Sequence, residues 1–180
     1  ARFGVTETDF VMLVPGFLTG NKMLYEVLVA HHAVCQDHPG LKLIFAGEER
    51  ANEYDVSRRI AQLWPEGNGP TVTGYLEADE LDLLLGRADL SFVLRHPTYG
   101  ESSGILPRAA MGGGDVLTVD IGAYAEFTSP QVTHVPVGAG TVAALEAGIR
   151  RSLARHSQGI DRAARRAEEA RRAQALTPAA

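Results

Sequence analysis

Short apolar runs alternate with amphipathic segments along most of the chain. Six such runs lie at 9–16, 41–47, 69–76, 89–95, 114–120 and 131–137, and most are flanked by glycine, proline or charged residues. Apolar runs of this length between turn-forming residues are typical of buried strands, although the third contains only a short one. The segments between them predict helices at 22–34, 57–64, 78–88, 103–111, 141–156 and 160–175, with at most one helical turn at 123–127.

Strands that alternate with helices predict a parallel sheet with helices on both faces. We therefore expect an α/β fold, a three-layer Rossmann-like domain with a six-stranded parallel sheet. Such sheets bind ligands at the carboxyl ends of their strands, where the strand order reverses, and the first and fourth strands flank that point. The loops after Pro15 and Arg95 are thus the main candidates for a binding site.

Composition narrows the class of protein. A chain of 180 residues can form one domain with a substantial core, and its net charge of −5 gives no reason to expect nucleic acid as a partner. The single cysteine, Cys35, indicates a reducing compartment, and no apolar run reaches the roughly 18 residues that span a membrane. We expect a cytoplasmic protein.

The last predicted helix differs from the rest of the chain because it is rich in arginine and alanine. We interpret it as a solvated face whose arginines pair with Glu168 and Glu169, and the alternative is contact with the anionic lipids of a membrane or with nucleic acid. The predicted domain boundary follows from this change in composition. Residues 1–156 form the Rossmann-like domain, and 157–180 form the helix and tail.

Several familiar motifs are incomplete. The pattern Gly-x-Gly-x-x-Ala at 138–143 lacks a following strand with an acid, so it indicates a glycine turn with Thr141 as helix cap rather than a dinucleotide site. The glycines at 112–114 lack the Gly-Lys-Ser/Thr of a P-loop and predict a flexible turn. The histidines show no metal-binding spacing, and no Gly-x-Ser-x-Gly elbow of a hydrolase occurs.

The loop after the first strand reads "PGFLTGNK" and has features of an anion site. Its glycines allow backbone amides to face a ligand, and Asn21 can cap the next helix. Lys22 begins that helix, where the helix dipole disfavours a cation, and a bound anion would offset this cost. The alternative is an ordinary exposed lysine.

The loop after the fourth strand reads "LRHPTYGESSG" and places Glu101 among small residues. His96 lies at its start, and its end leads into a helix with free backbone amides. Because the first and fourth strands are expected to be neighbours, the two loops predict one shared anion site.

The block "LRHPTYGESSGILPRA", followed by "DIGAYAE", resembles the donor-binding half of GT-B glycosyltransferases of the retaining family 4 type. The resemblance covers roughly residues 5–156 and implies one half of a GT-B fold. It implies two catalytic residues: Lys22 contacts the diphosphate of a nucleotide sugar, and Glu101 binds hydroxyl groups of the transferred sugar. It implies no metal and no cofactor.

The resemblance also implies which other residues bind the nucleotide sugar: Gly16, Phe17, Asn21, Gly74, Tyr75, Leu76, His96, Gly100, Ser102, Ser103 and Gly104. The amides of Ser102–Gly104 would face the phosphates, and the loop at 74–76 would lie near the base. The chain departs from the family where a second glutamate often binds ribose, since Arg108 and Ala109 occupy that region. It also lacks the arginine that often precedes the lysine of the first loop.

The resemblance implies transfer of a sugar from a nucleoside diphosphate to an acceptor hydroxyl group, with retention of configuration. The acceptor-binding domain would precede Ala1, so we expect this chain alone to be inactive and its last helix to pack on that missing domain. The alternative from another class is a non-catalytic nucleotide-binding Rossmann-like module.

Overall fold

The fold is taken from a computed structural model that describes residues 3–50, 52–159 and 162–175. The strands are β1 (Phe10–Pro15), β2 (Leu41–Ala46), β3 (Thr71–Val72), β4 (Leu90–Val93), β5 (Asp115–Val119) and β6 (Val132–Val135). The helices are α1 (Leu24–Cys35), α2 (Val56–Leu63), α3 (Ala78–Arg87), α4 (Ile105–Met111), α5 (Gly122–Glu126), α6 (Thr141–Ser157) and α7 (Arg162–Ala175). A short 3₁₀ turn, Gly20–Lys22, precedes α1.

All strand pairings are parallel, and the strand order is β3-β2-β1-β4-β5-β6. This confirms the predicted three-layer α/β fold and the six-stranded parallel sheet. Helices α1, α2 and α6 pack together, and α4 contacts α3 and α7 on the other side. The order reverses between β1 and β4, which pair through Met12 and Leu90, so the loops after these two strands leave the sheet side by side.

Helices on both faces of the sheet explain the continuous apolar strands. Every residue of β1 and β4 is buried, and in β2 only Lys42 is exposed. A strand that alternated apolar and polar side chains would bury unsatisfied polar groups in such a sheet. Strand β3 has only two residues and forms one edge.

Two helix caps differ from the sequence prediction. The residue that caps α1 is Met23, with φ of 55°, and Asn21 lies in the preceding 3₁₀ turn. For α6 the cap is Gly140, and Thr141 is the first helical residue. The hydroxyl group of Thr141 instead accepts a bond from the amide of Gly138, so it secures the preceding loop.

The three glycines predicted as a flexible turn are required for close packing instead. A Cβ atom at Gly112 would collide with the carbonyl oxygen of Leu85, and one at Gly114 would collide with that of Ala88. Gly113 has φ of 82°, which favours glycine. The turn between α4 and β5 therefore rests directly on the end of α3.

Helix α7 is attached to the domain through Arg166 and Glu169. Arg166 donates to the carbonyl oxygen of Gly112 at 2.9 Å, and Glu169 is buried and accepts a bond from Ser129 at 2.9 Å. Glu169 therefore does not lie on a solvated face as predicted, whereas Glu168 does, and it pairs with Arg172. That the segment 157–180 also packs on a second domain stays a prediction.

Within the described part of the chain, none of the helices combines the length and apolar character needed to cross a bilayer.

Candidate functional site

A cavity of about 290 Å³ opens at the carboxyl ends of β1 and β4. Its lining includes residues of the two loops that follow these strands and of the helix after the second loop: Lys22, Arg95, Ser102, Ser103, Gly104 and Arg108. Tyr124 of α5 also lines it. The fold thus brings together the two loops that the sequence predicted to share one site.

The cavity is cationic. Lys22, Arg95 and Arg108 line it, and among the lining residues that the structure describes there is no aspartate or glutamate. Arg108 already pairs with Asp82, to which its Nε and Nη2 atoms donate at 3.0 and 2.7 Å. Arg95 likewise pairs with Glu101, so among the described residues Lys22 is the cation of these three without a carboxylate partner.

Lys22 reaches the cavity from the 3₁₀ turn after β1. Its ammonium group donates to the carbonyl oxygen of Pro15 at 2.6 Å. A Cβ atom at Gly16 would lie 2.9 Å from the Nζ atom of Lys22, so glycine leaves the space that this ammonium group occupies. Burial, with a smaller contribution from the nearby charge of Arg95, lowers the pKa of Lys22 to about 8. A partly desolvated cation of this kind gains from a bound anion.

Glu101 accepts three hydrogen bonds within its own loop. Arg95 donates to it at 2.9 Å, the hydroxyl group of Thr98 at 3.1 Å and the amide of Tyr99 at 2.6 Å. The bond from Arg95 is the main reason that the pKa of Glu101 falls to about 2, and the backbone amides add to it. Glu101 is therefore a carboxylate at neutral pH, held in one orientation next to the cavity.

Arg95 was not among the predicted site residues. It follows β4 by two positions and links the cavity, which it lines, to Glu101. The feature of the sequence that could have identified Arg95 was its position, as a basic residue at the carboxyl end of a central strand. Its partner lies six positions on, across a loop whose path could not be known from spacing.

Other predicted residues connect the two loops without lining the cavity. The amide of His96 donates to the carbonyl oxygen of Asn21 at 2.7 Å, and the imidazole of His96 is exposed. Gly100 has φ of 93°, which allows the chain to turn between Tyr99 and Glu101. These residues therefore contribute through the backbone.

Two residues that were predicted to bind the nucleotide sugar lie outside the cavity, at the same end of the sheet: Phe17, and Tyr75 of the loop predicted to lie near the base. The exposed rings of Phe17 and Tyr75 are 6.4 Å apart, and the guanidinium group of Arg50 lies 5.0 Å from the ring centre of Phe17. Gly74 has φ of 73°, and Leu76 is buried. The structure thus places an exposed aromatic pair on the loops after β1 and β3.

Across the described residues, no cluster of three or more histidine, cysteine, aspartate or glutamate side chains could bind a metal ion.

Comparison with known proteins places this fold among glycosyltransferase domains. The C-terminal domain of the glycosyl transferase group 1 family protein LpcC from Francisella tularensis matches with a TM-score of 0.67 and 13% identity, over 81% of this chain and 75% of that one. The catalytic domain of cholesterol-α-glucosyltransferase from Helicobacter pylori matches with a TM-score of 0.67 and 19% identity, over 94% of this chain and 100% of that one.

Anabaena Alr3699/HepE, solved in complex with UDP-glucose, matches with a TM-score of 0.64 and 18% identity, over 94% of this chain. The present chain spans about half of the HepE chain, 50% of its length. No curated protein sequence matches significantly.

These similarities confirm the expected Rossmann-like fold of one half of a GT-B glycosyltransferase. The model of one family, glycosyl transferases group 1, matches residues 1–173, which include both loops of the cavity. A match over nearly the whole chain, together with this fold, shows that the chain belongs to the glycosyl transferases group 1 family.

Proposed function

We propose that this chain is the donor-binding domain of a retaining, family 4-type glycosyltransferase. It binds a nucleoside-diphosphate sugar, and the sugar is transferred to an acceptor hydroxyl group with retained configuration. The observation that carries the proposal is the cavity at the strand-order reversal, which has Lys22, Arg95 and Arg108 in its lining. Family membership and the neighbour solved with UDP-glucose support it.

In this proposal the diphosphate occupies the cationic cavity. Lys22 binds a phosphate oxygen, and the amides of Ser102, Ser103 and Gly104 face the same group. Transfer breaks the bond between the anomeric carbon and the diphosphate oxygen while the acceptor hydroxyl oxygen bonds to that carbon. Negative charge builds on the departing diphosphate, which takes the proton of the acceptor hydroxyl group. Fixed cations around that oxygen stabilise the transition state more than the ground state, which is how such a site accelerates the reaction.

Glu101 binds and orients the sugar. Its carboxylate has about four sites that can accept hydrogen bonds, and three donors of its own loop use part of them. A sugar hydroxyl group can donate to the remainder. Because its pKa is about 2, Glu101 acts as an acceptor and not as a proton donor at neutral pH.

In this proposal the base of the nucleotide stacks on the exposed aromatic pair, Phe17 and Tyr75. Aromatic side chains stack on nucleotide bases of any identity, which fits a base that the fold alone does not name. Gly74 and Leu76 shape the loop that presents Tyr75. Gly16, with φ of 82°, shapes the loop that presents Phe17.

The remaining parts of the proposal concern the whole enzyme. The acceptor binds to a second domain, so this chain alone binds donor and does not transfer sugar. The cations of the cavity neutralise the diphosphate, and no metal ion or cofactor takes part. The enzyme works in the cytoplasm, and peripheral contact of the arginine-rich α7 with a membrane is the alternative.

Calorimetric titration tests the proposal. The chain is titrated with UDP, GDP, ADP and inorganic pyrophosphate, each with and without Mg²⁺. We expect at least one nucleoside diphosphate to bind independently of Mg²⁺, and Lys22→Met to weaken that binding about tenfold or more, because a charge-assisted hydrogen bond is lost. Lys42→Met, at an exposed position of β2, is the matched control. Failure of every anion to bind, or equal binding by Lys22→Met, would contradict the proposal.

A further inference from the structure

Arg95 has hydrogen-bonding capacity that the free domain does not use. Its side chain is 29% exposed and lines the cavity, and its Nη1 atom donates to Glu101. Among the residues that the structure describes, its Nε and Nη2 atoms have no hydrogen-bonding partner. A guanidinium group carries five N–H donors in one plane, so most of this group remains available.

The other two cations of the cavity are more fully engaged. Arg108 uses its Nε and Nη2 atoms on Asp82 and also donates to the carbonyl oxygen of Ala78. Lys22 donates to Pro15 and lines the same cavity as Arg95. Arg95 is therefore the cation of the cavity with the most unused donors.

We propose that Arg95 is a positioning residue that binds Glu101 through one nitrogen atom and the donor diphosphate through the others. One rigid planar group then sets the distance between the carboxylate that orients the sugar and the phosphate that leaves. The inference rests on the proposed function, because it assumes that a diphosphate occupies this cavity. Arg95 then contributes to recognition of the sugar, through Glu101, and to recognition of the diphosphate.

Electrostatics explain why a cation is needed at this position. Glu101 and a diphosphate are both anions, and their approach to within a few ångströms is unfavourable unless a positive charge lies between them. Arginine suits the place better than lysine, because its planar fork can bind two anions at once in a defined geometry, whereas an ammonium group acts as a compact point charge.

Two substitutions separate the roles of charge and shape. In Arg95→Met both are lost, and in Arg95→Lys only the fork is lost. The wild-type chain and both variants are titrated with pyrophosphate, with UDP, GDP and ADP, and with the glucose and mannose conjugates of these nucleotides. Arg150→Met is the matched control, because Arg150 is an exposed residue of α6 that pairs with Asp37 outside the cavity.

We expect Arg95→Met to weaken pyrophosphate binding about tenfold or more, since a charge-assisted hydrogen bond is lost. Arg95→Lys should retain most of the affinity for pyrophosphate and for the nucleotide. It should lose the additional affinity that the sugar contributes, measured as the ratio of nucleotide-sugar to nucleotide binding. Arg150→Met should match the wild type in every titration.

A structural role and a positioning role give different results. If Arg95 only stabilises its loop, Arg95→Met unfolds at a lower temperature and both variants leave the sugar ratio unchanged, which overturns the inference. If Arg95→Met and the wild type bind pyrophosphate equally well, the inference about Arg95 is also overturned. The proposed function still stands in that case, because the wild type binds the anion. If the wild type binds no anion at all, the proposed function fails and the inference fails with it.

Discussion

Arg165 on α7 and Asp115 at the start of β5 form an ion pair with a distance of 3.0 Å. Asp115 is 1% exposed, forms a second ion pair with Arg155 at 3.0 Å and accepts a hydrogen bond from Ser152 at 2.6 Å. One buried carboxylate therefore joins the two C-terminal helices to the amino end of a central strand. This end of the sheet is opposite to the cavity, so its contribution is to stability.

Removal of this carboxylate should destabilise the domain strongly. Asp115→Ala leaves two partly buried guanidinium groups without their shared counter-charge, and we expect the free energy of unfolding to fall by about 2–4 kcal/mol. Urea unfolding of the variant and the wild type measures the difference. Asp37→Ala breaks an exposed pair with Arg150 and should cost about 0–1 kcal/mol. Equal losses for the two variants would contradict the role of Asp115.

The turn between α4 and β5 should not tolerate a side chain at Gly112. A Cβ atom there collides with the backbone of Leu85, which cannot move without shifting the end of α3, so we expect Gly112→Ala to cost about 1–3 kcal/mol. Thermal unfolding checks this. Gly40→Ala is the control, because a Cβ atom at that exposed turn has no atom within 4 Å. A stable Gly112→Ala variant would show that the turn is looser than described.

Lys22 should lower the free energy of unfolding of the free domain, although we propose that it binds the diphosphate. Burial lowers its pKa from 10.5 to about 8, so the unfolded chain binds this proton more tightly than the folded chain does. The charged form therefore disfavours folding below about pH 8, and this penalty disappears as the pH rises towards 10.5. We expect Lys22→Met to raise the free energy of unfolding by about 1–2 kcal/mol at pH 7, after the lost bond to Pro15 is deducted.

Urea unfolding at pH 7 and pH 9.5 tests this expectation, and the gain should be smaller at the higher pH. Lys42→Met, at an exposed position, should change stability little at either pH. A Lys22→Met variant that is less stable than the wild type at pH 7 would mean that the bond to Pro15 outweighs the cost of burial.

Glu101 should remain ionised far into the acid range. The bond from Arg95 is the largest cause that lowers its pKa from 4.5 to about 2. For a lowered carboxyl pKa, the stabilising contribution is complete above pH 4.5 and is lost as the pH falls through about 2. Carboxyl ¹³C NMR of the labelled chain should show this titration near pH 2, and Arg95→Met should move it back towards 4.5. A wild-type titration near 4.5 would contradict the described contact.

Much of the site was predictable because it depends on local pattern. The loops after β1 and β4 were expected to meet, since parallel strands place their carboxyl ends at one edge and the strand order of such sheets reverses between these two strands. Lys22 and the run from Ser102 to Gly104 follow from that placement, and both line the cavity. Arg95 was missed because its importance depends on a pairing with Glu101 that no periodicity encodes.

By itself, the sequence determined that this protein has three layers, a sheet between two sets of helices. Apolar runs with no alternation require a sheet covered on both faces, and amphipathic segments between them supply the covering helices. Tertiary structure alone decided the contacts between distant residues. It moved the N-cap of α1 from Asn21 to Met23, buried Glu169 against Ser129 and joined Arg165 to Asp115. Such contacts depend on the register and close approach of packed elements, which the order of residues along one segment does not specify.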